Sequence, residues 1–326
     1  MRRFRQLVAT LLLAGSAWYW WRDTTGPGEL AYRGTVPAPT WTSNGPAVLI
    51  DDAHWNAATS ASGLVAFAGL LAADGYVVLP GANATRAETL IDARIGVIAN
   101  PLALSGLARR LANRVNLAHL AMFDDDALMT QEIETTIQWI ENGGSLLLAV
   151  DEDPIARGSV GLAARLGVEL RRRLVIDLGH SEPRFPERLV FSRENGLIGT
   201  HPIVDGFPDA PPVNRVVTFG GQALVPPPGA ATLLTLSASA TDVARKGDPA
   251  TSGQSVAGLA QAVALERGRG RVVVLGDVAL LTMSEVGDGQ PTGLSWAGTN
   301  NERFVRYVMR WLSRRDDAPA RPRGTS

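Results

Sequence analysis

Short unbroken apolar runs alternate along this chain with amphipathic stretches of helical spacing. Residues 47–50 (AVLI) run straight into Asp51 and Asp52 and read as a buried parallel strand. Residues 62–74 put Leu64, Val65, Phe67, Ala68, Leu70 and Leu71 at helical spacing and stop at Gly75. Residues 76–79 (YVVL) predict a second strand, 86–93 a short helix, and 95–99 (IGVIA) a third strand ending at Asn100–Pro101. A further short helix is predicted over 104–112. Residues 130–141 carry Ile133, Ile137 and Ile140 on one helical face, and Gly143–Gly144 ends that helix before a fourth strand at 145–150 (SLLLAV). Strands and helices alternating in this way predict βαβ units, a mostly parallel doubly wound α/β sheet and helices on both faces.

The texture changes over 170–266, where prolines cluster and short β-like runs appear at 174–178, 216–219, 232–236 and 262–265. This stretch predicts a β-rich C-terminal elaboration of the same domain. Residues 271–275 (RVVVL) return as a buried strand. Residues 302–312 close the domain as a helix with Phe304, Val305, Val308 and Leu312 inward. The charged, proline-containing stretch 314–326 is expected to be a disordered tail.

The N-terminus follows another pattern. Arg2, Arg3 and Arg5 precede the uncharged run 7–21 (LVATLLLAGSAWYWW), a basic flank before an apolar core. Cleavage after Ala17 and retention as a single-pass signal anchor compete. Trp18, Tyr19, Trp20 and Trp21 favour retention, because such rings sit at the headgroup level. Residues 1–22 are therefore expected to be a membrane anchor with the domain on the periplasmic side, and residues 23–46, rich in Gly, Pro and Thr, a linker. The domain proper is expected over 47–313.

Composition narrows the function. Of 326 residues, 45% are hydrophobic and 19% charged, enough for a large core. A net charge of −1 argues against nucleic acid as a partner. With no cysteine there is no disulfide, thiolate metal site or cysteine nucleophile. No G-x-S-x-G elbow is present, nor any motif calling for a cofactor. Gly268–Arg269–Gly270–Arg271 precedes a strand and predicts a hairpin turn, and His201–Pro202–Ile203 predicts a turn capped by the histidine.

Polar residues recur just after the strands. Asp51, Asp52, His54 and Asn56 follow the first, Asn100 the third, Asp151, Glu152 and Asp153 the fourth, and Asp277 the late one; Asn300 and Asn301 precede the last helix. In an open parallel sheet this edge is where ligands bind. Asp51, Asp52 and His54 could act as acid and base. Asp51, His54 and Asp277 could hold a divalent metal, but no fixed ligand spacing supports it, and no metal is expected. The set Asp51, His54, Asn56, Asn100, Asp151, Asp277 and Asn301 could hydrogen-bond a polar ligand such as a sugar or peptide. Against these stands a purely local role, with the aspartates capping turns and His54 satisfied within its loop.

The segments VLIDDAHWN (48–56), IENGGSLLLAV (140–150), THPIVDGF (200–207), GRGRVVVLGD (268–277) and NNERFVRYVMRWL (300–312) together resemble bacterial proteins carrying the domain of unknown function 4350. The resemblance spans 47–312. It implies a class I glutamine-amidotransferase-like, flavodoxin-like fold, related to the auxiliary component of gliding-motility ABC transporters and to GIFT domains. It also implies a membrane-anchored envelope protein whose neighbours include MoxR-type ATPases, transglutaminase-like proteins or an ABC transporter. Amidotransferase chemistry needs a cysteine that this chain lacks. The expectation is a non-catalytic accessory domain binding a polar ligand or protein partner, with a periplasmic glycan or peptide hydrolase using Asp51, Asp52 and His54 as the alternative, and a mere spacer as a third.

Overall fold

The computed structural model describes residues 29–54, 56–81, 87–102, 126–183, 185–285 and 292–317. Five strands, β1 (Ala47–Asp51), β2 (Val77–Gly81), β3 (Ile95–Ala99), β4 (Ser145–Ala149) and the late strand β14 (Gly270–Leu275), lie side by side and parallel in the order β2-β1-β3-β4-β14. The antiparallel half of the same sheet continues from β14 through β13 (Ala260–Arg267), β9 (Gln222–Val225), β5 (Glu169–Asp177), β11 (Ala240–Val243) and β12 (Gln254–Ser255), with β10 (Ala231–Thr235) also on β13. A second small sheet joins β6 (Ser181–Glu182), β7 (Phe185–Ser192) and β8 (Arg215–Val217). The fold is thus mixed α/β around one large central sheet, its parallel block made by the unbroken apolar runs.

Those runs bury both faces because side chains alternate along a strand. Val48, Ile50, Val97, Leu147 and Val273 point to one core with Phe67, Leu70 and Leu71 of helix α1 (Val65–Ala73). In chain order the next helices are α2 (Ala87–Leu90), α3 (Thr130–Glu141), α4 (Val160–Leu166), α5 (Pro202–Asp205) and α6 (Asn301–Leu312). Phe304, Val305, Val308 and Leu312 of α6 cover that same first core. Ile98, Leu146, Leu148, Val272 and Val274 point the other way, onto Ile133, Ile137 and Ile140 of α3 and Leu162 and Leu166 of α4. Helices therefore lie on both faces, as the alternation predicts.

Two elements, 95–99 and 130–141, match the sequence pattern residue for residue, and the others shift by one to several residues at their ends. The GRGR segment is the β13–β14 hairpin, and His201 caps α5, its Nδ1 accepting from the Ile203 amide at 3.2 Å. The β-rich stretch holds more strands than its apolar runs suggest: β7 is interrupted by Glu187 and Arg188, β11 by Thr241 and Asp242, and β9 is only four residues long and opens on Gln222, so none forms a long apolar run.

The stretch expected as a linker is laid on the domain from Glu29 onward. Val36 is in the core, Leu30 N donates to Met283 O at 2.8 Å, and Trp41 N donates to Asp74 O at 3.1 Å. Fully buried Asp74 accepts from Thr40 N (2.8 Å), Thr40 Oγ1 (2.9 Å) and Arg306 Nη2 (2.9 Å), joining this strap to α1 and α6. At the other end, Asp316 and Asp317, within the expected tail, pair with Arg310 and Arg271. The segment expected at 1–22, the helix expected at 104–112 and residues 318–326 lie outside the described residues. Among the described residues no helix is long and apolar enough to cross a membrane.

Candidate functional site

The order β2-β1-β3-β4-β14 reverses direction between β1 and β3. At such a point the connections leave neighbouring strands toward opposite faces and a crevice opens beyond their carboxyl ends. Asp51 ends β1, Asn100 follows β3, Asp151 follows β4 and Asp277 follows β14, so the fold brings these sequence-distant residues to one edge.

On the β1 side the centre is an ion-paired histidine. His54 Nδ1 lies 2.8 and 3.0 Å from the two oxygens of Asp51, and its Nε2 lies 3.4 Å from Oε1 of Glu132 on α3. Burial alone would lower the His54 pKa; the hydrogen bond and charge of Asp51, then those of Glu132, outweigh it and hold the ring above its usual 6.5. Both ring nitrogens donate in the imidazolium form, so two carboxylates are satisfied by one ring. Asn56 Nδ2 donates to Asp51 Oδ2 and to Ala99 O, both at 3.1 Å, and Asn56 Oδ1 accepts from His54 N at 3.0 Å. Glu132 also accepts from Met129 N at 2.7 Å through Oε2, so the start of α3 is fastened to the loop after β1.

Asn100 connects this group to the next. It stands in left-handed backbone (φ 45°), a conformation its short amide tolerates. Its Nδ2 donates to Asp151 Oδ2 at 2.7 Å, its Oδ1 accepts from Asp151 N at 2.9 Å, and its carbonyl accepts from Ala57 N. Asp151 Oδ1 accepts from Val278 N at 2.7 Å, reaching the turn after β14. There Asp277 accepts from Phe219 N (2.6 Å) and Ala279 N (2.8 Å).

Three acids crowd this second group. Burial, then the charge of Asp151, pushes Glu152 up to about 8, with Asp277 adding to the effect. Burial and the charge of Asp151 push Asp277 up to about 7, and burial raises Asp151 itself. Like charges this close cannot all ionise in a low dielectric, so the group keeps protons near neutral pH. The loop bearing Asp151 is held from behind. Buried Gln222 donates through Nε2 to Asp151 O (2.7 Å) and Val150 O (3.2 Å), and Arg172 makes a two-pronged contact with Asp153 at 2.7 and 3.0 Å. Beside Asp277, the Phe219 ring meets Trp296 edge-on at 5.4 Å, and Arg188 lies over both Trp296 and half-exposed Phe185.

Two predicted residues have other employment. Asp52 accepts from Ser60 N (2.8 Å) and Ser60 Oγ (2.6 Å) and closes the loop before α1. Asn301 is buried with its whole amide engaged: Oδ1 accepts from Val217 N at 2.9 Å, and Nδ2 donates to Val217 O and Gly293 O. It fixes the start of α6 to β8. Among the described residues no three acidic or histidine side chains are arranged to hold a metal ion. Glu132 and Gln222 were invisible to the strand-end rule, because one starts a helix and the other starts an antiparallel strand. Glu132 sits at the third position of α3, where a carboxylate reaching back to the helix start is a readable signal.

No family model matches this chain, and no curated protein matches it. Solved structures do. The N-terminal domain of mmIFT52 aligns over 82% of this chain and 97% of its own, at 14% identity and a TM-score of 0.56. That likeness shows a shared fold. A ThuA-like protein from Bacteroides uniformis covers 86% of this chain and 95% of its own at 13% identity and a TM-score of 0.40, and an exo-β-1,4-mannosidase from an Opitutaceae bacterium covers 82% of this chain and 36% of its own at 11% identity and a TM-score of 0.39.

Proposed function

We propose that this chain is a non-catalytic, membrane-anchored accessory domain of the cell envelope. It binds a polar ligand or protein partner along the carboxyl ends of β1, β3, β4 and β14. The observation that carries the reading is the convergence of Asp151, Glu152 and Asp277 at the switch-point edge, where burial and mutual repulsion favour the protonated forms. A neutral carboxyl is both donor and acceptor, and half-buried Glu152 offers one beside Asp151 and Asp277. The half-exposed aromatics Phe219 and Trp296 next to Asp277 suit a ligand with both polar and apolar faces, such as a sugar or peptide. Asp51, Asp52 and His54 serve the local architecture, which weighs against them as acid and base.

The test is a binding screen of the full chain against envelope glycans and peptides, with a pull-down from membranes. A ligand so found should be weakened at least tenfold by Glu152→Ala and kept by Glu152→Gln, whose amide also donates and accepts. If neither ligand nor membrane partner emerges, the reading is withdrawn.

One observation favours hydrolysis as a second reading: carboxyls with pKa values of about 7 and 8 side by side are what acid–base catalysis uses. In that case the chemistry moves from His54 to Glu152 and Asp277. Glu152→Gln separates the two readings, since it would abolish turnover of a glycan or peptide while leaving binding intact.

A further inference from the structure

Glu29 fixes the chain to one particular end of the sheet. Its backbone pairs with Ser284, its carboxylate accepts from Val65 N at the start of α1 (3.4 Å), and Leu30 N donates to Met283 O. Ser284 and Met283 follow Asp277 and the short 3-10 turn Val278–Leu281, and α1 begins after β1 ends, so all three partners belong to the carboxyl edge. From there the strap descends along α1. Tyr32 lies beside Gly69, and Trp41 meets Asp74 at the far end of α1, next to the start of β1. The chain therefore arrives at the edge that carries Asp51, Asp151 and Asp277, and only afterwards crosses to the opposite edge.

The length of chain before that fixed point decides what the edge can face. Between Trp21, the last residue of the apolar run, and Glu29 stand seven residues, 22–28. Whatever their conformation, the eight steps from Trp21 to Glu29 span at most about 28 Å at roughly 3.5 Å per residue. A folded body of this size has a radius of gyration of about 19 Å, hence a diameter of about 50 Å if spherical. Turning the opposite edge toward a bilayer would lift Glu29 about 50 Å from it, nearly twice the reach of the tether. Turning the carboxyl edge toward it lifts Glu29 by much less.

We infer that the carboxyl edge of the sheet is the membrane-facing surface of this protein, so that the edge bearing Asp51, Asp151, Glu152 and Asp277 faces the lipid surface. This rests on the reading of residues 1–22 as a retained anchor. It deepens the proposed function by naming the surface to which that edge is presented: whatever it binds is met at the bilayer, not in the open periplasm.

The chain has no cysteine, so single cysteines can be placed without background. Ala61 is exposed on the carboxyl edge, in the loop between β1 and α1; Asn142 is exposed on the opposite edge, between α3 and β4. The full chain with Ala61→Cys or Asn142→Cys is labelled with a fluorophore, reconstituted into phosphatidylcholine–phosphatidylglycerol vesicles, and read against an energy acceptor on the lipid headgroups. Transfer should be at least threefold stronger from Ala61→Cys, and inserting 20 Gly/Ser residues after Arg22 should erase most of that contrast. Equal transfer from both sites, or a reversed order, overturns the orientation while leaving the anchor reading intact. Release of the unlabelled full chain from membranes by alkaline carbonate overturns both, because there is then no anchor to orient anything.

Discussion

His54 shows how much a single side chain can hold at this edge. It is 8% exposed and sits between Asp51 and Glu132. Removing it leaves two carboxylates facing each other in a partly dry loop. Loss of one partner from a buried ion pair costs about 3–5 kcal/mol. His54→Ala is therefore expected to lower the unfolding free energy by roughly 3 kcal/mol, read as a shift in urea midpoint at pH 6. His54→Gln should recover part of the loss, since one amide can still donate to one acid. Asp51 and His54 could be picked out in the sequence because they follow an apolar run. Their pairing could not, because the same residues also fit a metal site or an acid–base pair. The second partner, Glu132, stands some eighty positions downstream and is brought in by a helix whose packing depends on Ile133 and Ile137.

Among the elements, the parallel strands were readable because burial on both faces forces continuous apolar composition. The antiparallel half was readable only in outline, since strands such as β7 bury one side and carry Glu187, Arg188 and Ser192 among their apolar residues. Glycines at the joints show what sequence patterns leave out. Gly75 ends α1 at φ 89°, where an added Cβ would lie 1.8 Å from Trp41 O. Gly221 precedes β9 at φ 80°, where a Cβ would lie 2.0 Å from Gly276 O and 2.9 Å from the Cβ of Asp277. Gly221→Ala is thus expected to push the start of β9 away from Gly276 and disturb the Asp277 turn. It should destabilise by more than about 1 kcal/mol in thermal or urea unfolding and weaken any Glu152-dependent ligand. A mere stability effect would leave the affinity of the remaining folded protein unchanged.

For the molecule as a whole, the acid group and His54 bias stability in the same direction. Asp151, Glu152 and Asp277 hold protons at higher pH folded than unfolded, so their contribution is complete below about pH 4 and is lost as pH rises, that of Asp277 by about 7 and that of Glu152 by about 8. His54, raised above 6.5, contributes fully below that value and loses its contribution as pH rises through its folded pKa. Asp177 opposes them. Burial raises it, but hydrogen bonds from Ser237, Ser239 and the amides of Gly179 and His180 outweigh burial and hold it below 3.8, so its contribution fades only in stronger acid. Stability should peak near pH 4 and fall progressively as pH rises, by more than about 1 kcal/mol by pH 8.5. Glu152→Gln should flatten the alkaline limb of the curve of urea midpoint against pH; an unchanged slope would show that the acids do not share protons.

The strap from Glu29 to Trp41 also fixes how the molecule bears mechanical load. A pull arriving from the N-terminal side reaches the domain first at the Glu29–Ser284 bridge and the Leu30–Met283 hydrogen bond, which must shear before tension passes further. Behind them stands the buried Asp74, bonded to Thr40 and Arg306. Force would thus be taken up in two steps along the outside of α1, and the parallel strands carrying the acid group would stay unloaded until the second had failed.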